Sequence, residues 1–306
     1  MSRILVSGLV NIETTVRIRQ FPLSYYPVDY PFFGIRSGVA GVAFNIAKAL
    51  KTLGDEPVLR AFAADDAEGD RIRRELASLD ISDGGLSRGI GQTPASVVLY
   101  DGEGRRQIHC DLKDVQERTF PFGSSPLQGI DLAAVCNINF NRPLLRMARD
   151  QRVPIATDLH VLSTPDDAYN REFLESADIL FLSDEGIAGD HGEFIRCLAE
   201  RFPAQIIVLG EGKDGASLFD RSAGTIVRLR AARTDKVVNT VGAGDALFSA
   251  FLHFWLSGAR PSEALQLAET FAAAKIAVSG ASSGFIGEAE TLRRHAAEPV
   301  GFRGEA

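Results

Sequence analysis

Short apolar runs alternate along this chain with stripes of apolar residues at helical spacing. The runs fall near residues 3 to 8, 58 to 63, 133 to 139, 154 to 158, 178 to 183 and 205 to 210, and each predicts a strand. The stripes fall near 41 to 53, 69 to 79, 143 to 152, 192 to 202, 243 to 257 and 262 to 279, and each predicts a helix. In the fifth of these, Leu247, Phe248, Phe251, Leu252 and Trp255 share one helical face, and Gly258 followed by Pro261 stops the helix. Strand alternating with helix predicts an α/β fold, a mostly parallel central sheet with helices on both faces. From Ala289 onward the chain is charged, which predicts a loosely held tail.

Two segments break the alternation. Residues 14 to 37 scatter Val16, Ile18, Phe21, Tyr25, Tyr26, Tyr30, Phe32, Phe33 and Ile35 among prolines, a poor helix and a plausible irregular β segment. Residues 96 to 110 place Asp101-Gly102-Glu103-Gly104 between two β-prone runs, which predicts a hairpin. Together they predict a small sheet standing off the main layer; a pair of edge strands is the plainer alternative. Aromatics exposed on such a sheet need covering, which predicts a homodimer through it.

Composition narrows the class. At 306 residues and 45% hydrophobic content, with mean hydropathy near zero, the chain suits one large α/β domain over 1–306 with a small appendage. No run of about 18 apolar residues exists, so no membrane partner is expected. The start, Met1-Ser2-Arg3-Ile4-Leu5-Val6, reads as a first strand, and Cys110, Cys136 and Cys197 follow no metal-ligand spacing; a cytoplasmic location fits both. Lys and Arg number 33 against 40 Asp and Glu, so there is no basic excess for a nucleic-acid partner. The G-x-x-x-x-G-K-[ST] and G-x-S-x-G motifs are absent and the five histidines are dispersed, which argues against P-loop and serine-hydrolase chemistry.

The chemistry concentrates at Asn239-Thr240-Val241-Gly242-Ala243-Gly244-Asp245, where a glycine-rich turn runs into a helix. Small residues leave backbone N–H groups open at a helix start, where anions are favoured by roughly 0.3–1 kcal/mol. A carboxylate beside such a turn can take a proton from a hydroxyl while the amides hold developing negative charge. That pairing suits phosphoryl transfer to an alcohol, although Asp is also a common helix cap. A second cluster, Gly41 and Asn45, offers close backbone approach and a bifunctional amide at another helix entrance, and Asn11 and Glu13 follow the first strand. His160 and Asp158 lie at a later strand end, as do Asn137, Asn139 and Asn141. Gly210-Glu211-Gly212-Lys213-Asp214-Gly215, with Asp235 beyond it, fits a dinucleotide fingerprint, but Ala216-Ser217-Leu218-Phe219-Asp220 reads as a strand where that fingerprint demands a helix.

The run from Asn239 to Phe251 resembles the C-terminal signature D-T-x-G-A-G-D of the ribokinase-like (PfkB) carbohydrate kinases, and Gly41, Asn45 and Ala47 match that family's G-G-x-x-x-N-x-A, with Ala40 for the first glycine. The resemblance spans nearly the whole chain. It implies a three-layer ribokinase-like fold, with about 14–37 and 96–110 as a β lid over the sugar that also serves as a dimer contact. It implies ATP-dependent phosphorylation of a hydroxyl on a sugar or sugar-like molecule, with Asp245 as base and Gly242, Ala243 and Gly244 as anion hole. Asn11, Glu13, Gly41 and Asn45 would hold the substrate, Glu13 standing where the family has Asp. Gly212, Lys213, Gly215 and Thr240 would lie at the ATP phosphates. Magnesium would fall to Asp184 or Glu185, since Ser183-Asp184-Glu185-Gly186 replaces the family's N-x-x-E. Potassium, held near the turn in relatives, would meet the amide of Asn239 in place of an Asp. Other acceptors within this fold are nucleosides, pseudouridine included. From other classes, Asn239 and the altered metal motif suggest a catalytically inactive sugar-binding regulator, and a nicotinamide dehydrogenase is a distant third.

Overall fold

The computed structural model describes residues 1–234 and 236–303. Asp235, which would complete the dinucleotide fingerprint, lies outside the described residues. The main sheet has nine strands, β1 (Arg3–Ser7), β4 (Glu56–Phe62), β5 (Leu86–Ser87), β8 (Leu132–Val135), β9 (Ile155–Val161), β10 (Ile179–Ser183), β11 (Ile206–Gly210), β12 (Ala216–Asp220) and β13 (Thr225–Leu229). Their spatial order is β13-β12-β11-β10-β9-β8-β1-β4-β5. All neighbours pair parallel except β11–β12 and β12–β13, which are antiparallel. Thus Gly210–Gly215 joins a strand to an antiparallel strand, as the sequence predicts, and no helix follows it.

Alternate side chains of each strand feed two separate cores. Ile4, Val6, Leu132, Ala134, Ile206 and Val208 face one side, where they meet α1 (Val42–Leu53), α2 (Ala67–Ser78), α6 (Ala243–Leu256) and α7 (Pro261–Ile276). Leu5, Ala133, Val135, Leu180, Ile207 and Leu209 face the other, against α3 (Arg142–Gln151), α4 (Arg171–Ser176) and α5 (His191–Arg201). Helices therefore cover both faces of the sheet. Each fully buried aliphatic or aromatic side chain adds about 1.5–3 kcal/mol, so these two layers hold the fold. The charged segment after Ala289 departs from expectation. It forms α8 (Glu288–Ala297), pinned to α7 through Thr270 and His295 at 3.2 Å, with Thr291 buried and Glu290 paired to Arg293 and Arg294. Pairs three and four residues apart make a charged sequence compatible with a helix.

The chain leaves β1 towards β4 and β5 on one side and later returns to β8 on the other. A crevice is therefore expected beyond the carboxyl ends of β1 and β8, the place where open parallel sheets bind ligands. Those two ends approach closely, since a Cβ on Gly8 would stand 2.4 Å from the Cys136 sulfur. Asn141 staples them: its Nδ2 donates to the Ser7 and Cys136 carbonyls, both at 2.8 Å, and its Oδ1 accepts from the Ser7 hydroxyl at 2.5 Å.

A second sheet stands at this end of the molecule. It joins β2 (Asn11–Arg17) and β3 (Ile35–Ala40), inserted between β1 and α1, to the hairpin of β6 (Ala95–Tyr100) and β7 (Arg106–Asp111), in the order β3-β2-β6-β7. β2 and β6 pair parallel, which ties the two insertions together. In the hairpin turn, Asp101 Oδ1 accepts from the N–H groups of Glu103 and Arg105, each at 3.0 Å. Cys110 on β7 faces Ser96 on β6. Residues 18–34 form neither helix nor strand, and Tyr25, Tyr30, Phe32 and Phe33 stand largely exposed there.

Candidate active site

α6 starts at the crevice. Its N-cap, Gly242, has a left-handed backbone (φ 79°), and a Cβ there would lie 2.2 Å from the Ala281 carbonyl oxygen, so a side chain is excluded. The Ala243 N–H donates to the Thr240 carbonyl at 3.1 Å, whereas the N–H groups of Gly242, Gly244 and Asp245 meet no backbone acceptor among the described residues. Of the three residues expected to form an anion hole, two thus present free donors and Ala243 turns its donor inward. Open N–H groups at a helix start favour an anion through both hydrogen bonding and the helix dipole.

Asp245 is the third residue of α6 and is buried. Its Oδ2 accepts from Asn45 Nδ2 at 2.6 Å, so two residues 200 positions apart meet where α1 and α6 pack together. Burial pushes the Asp245 carboxyl above its ordinary range; His160 and the Asn45 hydrogen bond oppose the shift, Asp158 adds to it, and Lys275 opposes it. Donor atoms of Asp158, His160 and Asp245 all lie within 4.8 Å of one another. His160 lies in an irregularity of β9, between the Asp158–Phe181 and Val161–Ser183 pairings, carries a positive φ of 60°, and donates its backbone N–H to Asp158 Oδ1 at 2.9 Å. A non-glycine residue held there marks a constrained site.

The substrate candidates converge on the same place. Gly41 caps α1 with φ 97°, and a Cβ would lie 2.5 Å from the Leu9 carbonyl oxygen. Asn11 sits opposite Ala40, beside Gly41, and donates to the Ser96 hydroxyl at 3.0 Å. Asn11 Oδ1 and Asn45 Oδ1 are buried with no hydrogen-bond partner among the described residues. Leaving a buried acceptor unpaired costs about 1–3 kcal/mol, so these atoms call for donors such as hydroxyl groups. Glu13, two residues after Asn11 and hence on the same face of β2, has its pKa pushed up to about 7 by burial, then by Asp245, with Lys275 opposing.

Two cations here went unnoticed in the sequence. Lys275, in the last turn of α7, is fully buried and donates to the Val241 carbonyl oxygen. Burial brings its pKa down to about 8 against the pull of Asp245 and Glu13. A lone charge inside the apolar run from Phe271 to Val278 was its only signal. Arg106 of β7 reaches out of the small sheet to Thr240, 2.9 Å from Oγ1 and 3.3 Å from the carbonyl, and its Nη2 lies 3.5 Å from Glu185. Nothing in the local sequence marks it.

The remaining candidates lie along the same row of strand ends. Lys213 and Gly212 are exposed in the turn after β11. Gly215 (φ 95°) packs against β13, where a Cβ would come within 2.3 Å of the Leu229 carbonyl oxygen. Asp184 and Glu185 follow β10. Burial raises the Asp184 carboxyl, with His191 opposing and Glu211 reinforcing. Neither joins the cluster around Asp245; Glu185 is engaged by Arg106. Carboxylate oxygens such as those of Asp158, Asp184 and Glu185 are the donors a hard cation takes, whereas the His160 imidazole of the Asp158–His160–Asp245 cluster suits magnesium poorly. Asn137 and Asn139 are taken up by Asn170 and Gln116, and Asn141 is structural.

Known proteins place this geometry in a family. The family model described as pfkB family carbohydrate kinase matches residues 1–286. An acarbose 7(IV)-phosphotransferase of an Actinoplanes species is 26% identical over 296 residues, 95% of this chain and 97% of the relative. An ATP-dependent ribose-1-phosphate kinase of Halopiger xanaduensis is 26% identical over 294 residues, 92% of this chain and 95% of that protein. Among solved structures, a microbiome-derived acarbose kinase, Mak1, superposes with a TM-score of 0.85 at 24% identity, covering 96% of this chain and 99% of its own, which confirms the ribokinase-like fold. The chain belongs to the pfkB family of carbohydrate kinases.

Proposed function

Because the chain is a pfkB-family carbohydrate kinase, we propose that it moves the γ-phosphoryl group of ATP to a hydroxyl of a sugar or sugar derivative, with Asp245 as the base. The observation that carries this reading is the Asn45–Asp245 hydrogen bond at the open start of α6. It fixes Oδ2 and leaves Oδ1 to take the proton of the attacking hydroxyl. Burial makes that carboxylate a stronger base. As the hydroxyl oxygen bonds to phosphorus and the bond to the β-phosphate oxygen breaks, the N–H groups of Gly242 and Gly244 lie beside the charge that develops. Asn11, Glu13 and the Oδ1 of Asn45 offer acceptors to further hydroxyls, which favours a polyhydroxylated substrate.

Lys213, Gly212, Gly215 and Thr240 line the side proposed for the nucleotide. Magnesium, when bound with the phosphates, would be held by Asp158 with Asp184 or Glu185 and would neutralise phosphate charge. A homodimer through the exposed aromatics of residues 25–33 and a cytoplasmic location are further expectations of this reading. No helix among the described residues is long and apolar enough to cross a membrane.

The reading is tested by ADP release with a panel of pentoses, hexoses, sugar phosphates, aminosugar oligosaccharides and nucleosides. ADP release with a sugar and none with nucleosides is expected. Tight sugar binding with no turnover at high magnesium would mark a non-catalytic binding protein.

A further inference from the structure

Lys275 stands beside the reacting centre without a task in the phosphoryl-transfer reading, and none of its surface reaches solvent. A buried ammonium costs several kcal/mol unless acceptors and opposite charges compensate it. Here the acceptor is the Val241 carbonyl, the facing carboxylates are Asp245 and Glu13, and the facing cation is Arg106. The surrounding loop is pinned as well: the N–H groups of Val238 and Asn239 donate to the Ile276 carbonyl at 2.8 and 3.4 Å. The Val241 N–H donates to Asn239 Oδ1 at 2.8 Å, so both polar groups of Val241 are held by side chains.

The Val241 carbonyl and the Gly242 N–H belong to one planar trans peptide and point in opposite directions. With the carbonyl drawn inward to Lys275, the Gly242 N–H is turned outward, where it meets no backbone acceptor among the described residues. Glycine tolerates both signs of φ, so this peptide plane has little intrinsic resistance to flipping. The lysine supplies that resistance and a fixed positive charge under the turn. Asn239, being neutral, leaves that charge to the carbonyl, Asp245 and Glu13.

We propose that Lys275 is a positioning residue that locks the Val241–Gly242 peptide with its N–H towards the transferring phosphoryl group, and that its fixed charge lets the turn work without a dissociable monovalent cation. The inference rests on the kinase reading above. It is tested by steady-state kinetics of the wild type, Lys275→Met and Lys275→Ala in buffers whose monovalent cation is tetramethylammonium, sodium or potassium. The wild type keeps its rate within about twofold across the three, while Lys275→Met loses about 10²-fold in kcat with the sugar KM within about threefold. Lys275→Ala, which leaves room for a small cation, recovers at least about tenfold on addition of potassium or methylammonium, and the methionine variant does not. Activation of the wild type by potassium of more than about tenfold overturns the proposal, and this arm holds even if both variants fail to fold. Near-normal kcat in folded Lys275→Met overturns it too. A wild type that binds ATP and sugar yet turns over neither sinks the kinase reading and this inference together, whereas normal turnover by the methionine variant sinks the inference alone.

Discussion

Two glycine-rich turns sit at carboxyl-terminal strand ends or helix starts of this molecule, and they differ in what their polar groups do. The turn Gly210–Gly215 folds back on itself, with Glu211 N–H donating to Gly215, Asp214 to Glu211 and Gly215 to Gly212, at 2.7, 3.0 and 3.1 Å, while Gly212 and Lys213 lie exposed to solvent. The Glu211 carboxylate is held by neighbours of its own: Oε1 meets His191 and accepts from Ser217, and Oε2, without a hydrogen-bond partner among the described residues, lies 2.9 Å from Arg303 in an ion pair. Among the described residues, the turn Asn239–Asp245 leaves donors open at Gly242 and Gly244, carries Asn239 Nδ2 unpaired, and lies near the unpaired acceptors of Asn11 and Asn45. Glycine content is similar, so composition alone does not separate them. Unsatisfied polar groups do, because a fold retains such groups where a ligand completes them.

The contrast is sharpest at Asp245. Asp245→Asn is expected to lower kcat by about 10²–10⁴ while ATP still binds, measured by turnover alongside calorimetry. Asn45→Ala, which frees the carboxylate to rotate, should lower kcat/KM by about 10–100-fold with little change in ATP affinity, read from the same assay. Gly215→Ala should destabilise the protein by about 1–3 kcal/mol, seen as a fall in Tm, because it forces a Cβ at positive φ into the Leu229 carbonyl, with kcat of the folded protein within a few-fold. Equal catalytic loss at Gly215 and Asp245 would break the distinction between the two turns.

Glu13 adds a pH test. Its folded pKa lies near 7, above the ordinary 4.5, so the stability that goes with the protonated form is fully present below 4.5 and is lost as pH rises through 7. Glu13→Gln should therefore gain Tm relative to the wild type at pH 8 and not at pH 4, by thermal melts at each pH. The smallest effect is expected from Lys213→Ala, an exposed side chain: a rise of about two- to fivefold in the KM for ATP, with kcat unchanged.

How far the sequence foresaw this follows from the range of the interactions involved. Strands β1, β4 and β8 to β11 and the first seven helices but for α4 are local in origin, since apolar period and end signals lie within each segment. The turn at Gly242 and the helix entrance at Gly41 were legible because only glycine serves there. Arg106 and Lys275 were not, because their meaning comes from Thr240, Glu185 and Val241, each more than 30 positions away. The free tail expected after Ala289 turned out helical because Thr270 on α7 offers His295 a partner that local charge counting does not reveal.

The small sheet carries one more consequence. Cys110 lies across from Ser96, which in turn lies beside Glu13 on β2, so its thiol shares a face with the pocket. Cys110 is exposed, yet partial desolvation, then Asp111 and Glu13, hold its thiol above the usual range, so alkylation by iodoacetamide is slow at neutral pH and quickens in alkali. An adduct there would crowd the space proposed for the acceptor, and a bound acceptor would shield the sulfur. The rate of labelling becomes a clock for occupancy, readable by mass spectrometry without a nucleotide in the tube.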